Sequence, residues 1–380
     1  MRIRAPLSVI LAAMLIGGCS TIGSMFSKTK VEPMAELKPI TATARLEQVW
    51  KYRVGGVENA LIEPASLGDA VFAANAGGEV YRIAAGRQVW RAKTKEDIVA
   101  GVGAGNGIVV VGTRRGAVVA FDADTGATKW TSELSGDLAA IPLVDGDLVV
   151  VRIGDSNVVA LDVTNGRRRW SYNRTTPPLS LRAYSELRRA DAYVFAGFSG
   201  GRISAINSVS GQLAWEGAVT QPRGTTELER LSDVVGAPLL GAGSLCAGSY
   251  QGRVTCFDMT RGVAVWGRDI STSVGIAMDS DKVFVTDERG AVHALDRGTG
   301  ATVWKQDDLK LRKVGRPLDI DGYVAVSDVE GWVHLLNKSD GHFAARLRAD
   351  NSPIDAPMIE HDGGIVALSR DGVVTFMKVR

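Results

Sequence analysis

The chain has 380 residues, room for two or three ordinary domains or one long repeat array, and its 45% apolar and 23% charged composition excludes overall disorder. The 44 basic and 42 acidic residues nearly cancel, and Arg2 and Arg4 are the only charges before Cys19, so binding to nucleic acid through net charge is excluded. Four His and three Cys are too few for a metal- or disulfide-rich scaffold.

The chain opens with two arginines and an apolar run from Ala5 to Ile16. That run is too short to span a bilayer, where about 20 residues are needed, and reads as a secretory signal. It ends in Leu15, Ile16, Gly17, Gly18 and Cys19, which resembles the bacterial lipobox. Small residues let a peptidase approach the backbone, and the Cys19 thiol takes the lipid. The expected organisation is a signal peptide over 1–18, a lipidated flexible tether over 19–44, and the folded body over 45–380. Ser20 after Cys19, by resemblance to lipoprotein sorting, directs the chain to the outer membrane, anchored in its bilayer and facing the periplasm. More than one acyl chain makes such an anchor stable.

Beyond the tether the tryptophans mark a period. Trp50, Trp90, Trp130 and Trp170 are evenly spaced, and Trp215, Trp266 and Trp304 continue the series at less regular intervals. A period near 40 residues signals a repeat architecture. The text before each Trp also repeats, as in Gly116 to Trp130, Gly252 to Trp266 and Gly290 to Trp304. Each copy carries Asp-x-x-x-Gly: the Asp bonds backbone N–H groups across a turn and the Gly takes the left-handed position. The last copy has Ala345 where Trp is expected, and Trp332 falls in a different register.

Each unit reads as four short strands, with β-branched runs such as Leu148–Val151 preceded by turn pairs such as Asp145-Gly146. Pro64, Pro142, Pro238, Pro317 and Pro357 fall near unit starts, where an innermost edge strand tolerates proline. Four strands per unit imply an all-β, eight-bladed β-propeller. The C-terminal unit lacks its last strand, and Arg45–Trp50 is a last strand without a unit, so the N-terminal strand should complete the last blade. Seven blades is the alternative count, and a solenoid is disfavoured because neither end shows a capping unit.

The Asp-x-x-x-Gly-x-x-x-Trp repeat resembles that of the quinoprotein alcohol dehydrogenases, and also that of the BamB family of outer-membrane assembly lipoproteins. The lipobox and two overlong intervals favour the second. One interval contains Thr175 to Arg182, the other Gly224 to Asp233, and both read as extra loop on one rim of adjacent blades. There Leu179 and Leu181 would be apolar anchors, Arg182 a planar donor and Asp233 a carboxylate. The resemblance implies a non-catalytic scaffold that binds a periplasmic POTRA domain of BamA through Leu179, Leu181, Arg182, Arg230 and Asp233. It also implies help with insertion of β-barrel proteins, with nascent outer-membrane proteins as further partners at a blade edge. A second acidic residue common in the family is replaced here by Val235.

Catalysis and cofactors are not expected. An adjacent Cys pair, as over a quinone, is missing, and most carboxylates sit in turn positions. The His spacings match no zinc site, although His293 and His334 occupy equivalent places in successive repeats. A glycan-binding envelope propeller is the other alternative, but aromatic residues are scarce outside the repeat. Cys246 and Cys256 should face each other across one hairpin. An oxidising periplasm would allow a disulfide there, while cross-strand spacing is often too wide for one, so both states stay open.

Overall fold

The computed structural model describes residues 32–380 except 59, 155, 176, 178 and 181–184; the expected lipidation site Cys19 and the candidate residues Leu181 and Arg182 lie outside these. All regular structure among the described residues is β, in eight antiparallel four-stranded blades that form a propeller. Blades 1 to 7 span 65–93, 98–133, 143–173, 187–218, 234–268, 276–306 and 318–348. Blade 8 combines three strands between Ile359 and Val379 with Leu46–Arg53. A short strand, Leu61–Ile62, adds in parallel to the inner edge of blade 2.

The ring closes through both chain ends. Leu46 pairs with Val379, Trp50 with Phe376 and Arg53 with Val373. Arg45 and Arg380 exchange two backbone hydrogen bonds at 3.0 and 2.8 Å. The pairing covers the outer edge of Val373–Val379, and because the chain runs from Leu46–Arg53 on into blade 1 it ties the last blade to the first.

Second and third strands are buried on both faces, as in Leu148–Ile153 and Asn157–Asp162, which explains their continuous β-branched runs. In blades 1, 2, 3, 5 and 6 the Trp is the one fully buried residue of the fourth strand, as Trp130 is in Thr128–Glu133. These indoles join the blades. Trp130 Nε1 donates to the Val163 carbonyl at 2.9 Å, and Trp90, Trp170, Trp215, Trp266 and Trp304 donate to the next blade in the same way. Each ring rests on the turn glycine of the following blade; Trp130 covers Gly166, whose φ is +70°. Burying an indole removes about 200 Å² from water, worth about 5 kcal/mol at ~25 cal/mol per Å². Asp162 organises that turn by accepting from the Thr164 N–H at 2.9 Å and from the Thr164 hydroxyl. The Thr164 hydroxyl and the Arg169 guanidinium pull its carboxyl down to about 2.

Ala345 occupies the Trp position of blade 7: it pairs with Leu335 as Trp304 pairs with Ala294. Blade 8 has no turn between its third and fourth strands, because those strands are the two chain ends. Thr43 and Ala44 instead donate to the Ala344 carbonyl at 2.9 and 3.1 Å, and Leu46 packs with Ala344 and Ala345. The chain leading into Leu46 therefore sits beside Ala345.

Part of the stretch expected to be tether is docked. Ala35 N–H donates to the Lys310 carbonyl at 3.0 Å, Leu37 packs against the cluster containing Trp304 and Val314, and Lys38 pairs with Asp308 at 2.6 Å. Arg312 and Arg346 donate to the carbonyls of Ala35 and Lys38. Arg312 is only 1% exposed and also pairs with Asp328 at 2.7 Å and with Glu330. His334 Nε2 meets Asp328 at 3.1 Å, and His334 Nδ1 accepts from Arg346 at 2.9 Å. The equivalent pair in blade 6 is His293 with Asp287, at 2.9 Å, so the repeated histidines serve a repeated structural bond.

Candidate partner-binding face

Antiparallel blades sort the loops by face. Connections between blades share one face with the turns that join second to third strands; the Asp-x-x-x-Gly turns lie on the other. Both overlong intervals are connections between blades. The first, 174–186, leads into blade 4, and the second, 219–233, leads from blade 4 to blade 5.

They meet at one turn. Pro177 of the first insertion lies against Gly200, and Thr220 of the second lies against Gly201. Blade 4 thus presents its second-to-third-strand turn between them. Leu179 is 40% exposed on the first insertion.

The second insertion is held by its own side chains. The Glu229 carboxylate accepts from the N–H of Thr225 at 2.7 Å, the N–H of Thr226 at 3.1 Å and the Thr225 hydroxyl at 3.1 Å. Thr226 Oγ1 returns an acceptor to the Glu229 N–H at 3.3 Å. These bonds to the Thr226 and Thr225 N–H groups hold the Glu229 carboxyl below its ordinary range. Arg230 is exposed, and its Nε donates to the Gly224 carbonyl at 3.1 Å. Leu228 is 67% exposed at the crest. Sequence reading passed over Leu228, although Thr226-x-x-Glu229 is a reciprocal capping pattern that would have marked a fixed turn. Asp233 is 4% exposed, and its carbonyl accepts from the Tyr250 N–H at 2.9 Å, which places it at the foot of the insertion.

Blade 5 continues from that foot. Its second and third strands carry Cys246 opposite Cys256, with Cα atoms 4.1 Å apart, joined as a disulfide. Both are buried beside Trp266.

The axis holds a separate feature on the same face. A cavity of about 310 Å³, lined by Val57, Leu61, Ile141, Val274 and Leu368, ends at Arg316. Arg316 pairs with Glu186 and lies 3.9 Å from Glu63, which ties the starts of blades 7, 4 and 1. No group of three or more His, Cys, Asp or Glu among the described residues is arranged to hold a metal ion.

The chain is similar to known proteins over most of its length. The family model described as "Outer membrane protein assembly factor BamB" matches residues 76–306. The protein of that name from Burkholderia pseudomallei is 36% identical over 376 residues, covering 98% of this chain and 97% of that one. Its namesake from Escherichia coli is 31% identical over 384 residues, covering 96% of each. The crystal structure of BamB from Moraxella catarrhalis superposes with a TM-score of 0.82 at 31% identity, covering 88% of this chain and 100% of that one. Quinohemoprotein alcohol dehydrogenase from Comamonas testosteroni gives 0.68 at 13% identity, covering 87% of this chain and 76% of that one, a likeness of fold alone.

Proposed function

The chain belongs to the BamB family of outer-membrane protein assembly factors, and on that premise we propose that it is a lipid-anchored scaffold binding a periplasmic POTRA domain of BamA. Its role is in outer-membrane protein assembly, not catalysis. The observation that carries the finer reading is the meeting of both insertions around the Gly200–Gly201 turn, with Leu179 exposed two residues on from Pro177. An apolar anchor on a rigid ring loses little entropy when a partner covers it. Leu179, Leu181, Arg182 and Arg230 form the proposed partner-binding set; Asp233, expected from the sequence to join them, is buried at the foot of the second insertion and supports its base instead. Acylated Cys19 would hold the ring at the periplasmic surface of the outer membrane. Nascent outer-membrane proteins would be received at an exposed blade edge.

The test replaces Leu179, Leu181 and Arg182 together by Ala and measures co-purification of BamA from membranes, with thermal unfolding as the control for folding. Loss of BamA from a folded triple variant is expected. Undiminished association would sink the reading. Palmitate labelling that persists in Cys19→Ala would remove the anchor assignment.

A further inference from the structure

The large apolar side chains exposed among the described residues are few, and most have structural neighbours in the repeat. Val49, Val89, Leu213, Val263, Val265 and Val303 lie on fourth strands. Met34 precedes the ring, and Tyr193 and Val209 lie toward the opposite face. Two remain on connections between blades: Leu179 and Leu228, one in each insertion.

Leu228 differs from an incidental surface leucine in how it is held. The turn beneath it is fixed by the Glu229 carboxylate, by the Thr226 hydroxyl and by the Arg230 bond to Gly224. The Arg230 N–H also donates to the Thr226 carbonyl at 3.2 Å. These bonds engage Glu229 Oε2, the N–H and hydroxyl of Thr225, and the N–H, hydroxyl and carbonyl of Thr226 inside the loop. Of the exposed residues along the crest, which include Glu227, Leu228 is the large apolar one. A residue 67% exposed on a turn this constrained meets a partner with its ordering cost already met by the fold.

We propose that Leu228 is a second apolar anchor of the partner face, and that Glu229 is the positioning residue that presents it. The inference rests on the BamA reading above and deepens it. The partner would be a folded domain with two apolar sockets, one for each insertion. The Leu228 contact is apolar, so its contribution should change little with salt, unlike contacts made by arginine.

The experiment measures binding of the full mature lipoprotein in detergent to the purified periplasmic region of BamA, at low and high salt. Leu228→Ala should weaken binding by about tenfold or more at both salt concentrations, the scale of a buried anchor. Glu229→Ala should weaken it with unfolding temperature unchanged, and Glu229→Gln, which keeps one acceptor oxygen, should recover part of the loss. The Leu228→Ala/Glu229→Ala double variant should lose less than the product of the two single effects, because both act through one side chain. If Leu179→Ala weakens binding and Leu228→Ala does not, the inference falls and the BamA reading stands. If the unaltered protein does not bind, both fall. Fully multiplicative losses would overturn the positioning role of Glu229.

Discussion

The Trp130 ring lies so close to Gly166 of the next blade that a β-carbon on the glycine would stand 2.5 Å from ring carbon Cε3. The same glycine has φ +70°. Two independent demands therefore fall on one position, one conformational and one steric. Gly107 separates them, because its φ is +71° and nothing would meet a β-carbon within 4 Å. Gly107→Ala should cost about 1 kcal/mol from backbone conformation alone. Gly166→Ala should cost about 2–4 kcal/mol, since the indole must also move. Urea unfolding of both variants checks the difference; equal losses would mean that the inter-blade contact adds nothing.

Ala345 suggests a repair that should fail. Completing the series with Ala345→Trp would restore the repeat on paper, but blade 8 has no turn to receive the indole, and Ala44 and Leu46 already occupy the space. The substitution should destabilise by about 1–3 kcal/mol through overpacking. It should also speed proteolysis near Lys38, whose carbonyl is tied to blade 7 by Arg346. A stabilised variant would show that the place is open.

Stability should fall as pH drops from 7.5 to 5.5. Burial pushes the His334 imidazole down, against the opposing pull of Asp328. Arg346 can only donate, so His334 Nδ1 carries no proton and Nε2–H faces Asp328. Burial also lowers His361. In both cases the unfolded chain binds a proton that the folded chain refuses. The stabilisation is complete above the unfolded value near 6.5 and is lost as pH falls below it, at most about 1.4 kcal/mol per pH unit for each histidine. Urea unfolding at the two pH values should show a smaller loss for His334→Gln. An unchanged pH dependence would mean that His334 does not contribute.

The Cys246–Cys256 disulfide closes a short loop inside one hairpin. Loop entropy of that length corresponds to about 2–3 kcal/mol. The Cys246→Ala/Cys256→Ala variant should unfold at correspondingly lower urea, and intact mass should rise by about 2 Da when the native protein is reduced under denaturing conditions. The same mass with and without reductant would show free thiols.

The blades were legible because each docking contact needs both a Trp and a glycine, and those residue types recur at a readable interval. Closure by Leu46–Arg53 was legible from the two incomplete ends. The reason for Ala345 was not, because it lies in the partner that blade 8 lacks. Nor was the docking of residues 35–44, which depends on Arg312 and Arg346 from elsewhere in the chain. The insertions were visible as excess length. Length, however, does not tell a crest from a foot: Asp233 looked like an accessible acid and is buried, while Leu228 stands clear of the ring.

Building blade 8 from both ends has a consequence in time. A chain made from its N-terminal side delivers Leu46–Arg53 before every other blade strand and its partner Val373–Val379 after all of them. The first strand must wait, unpaired, through the synthesis of every other blade. A product truncated by even its final strand would leave an open arc with hydrogen-bonding edges bare on both sides. Ring closure is therefore contingent on the last of these strands, and a ring lacking it would present edges free to pair with other chains.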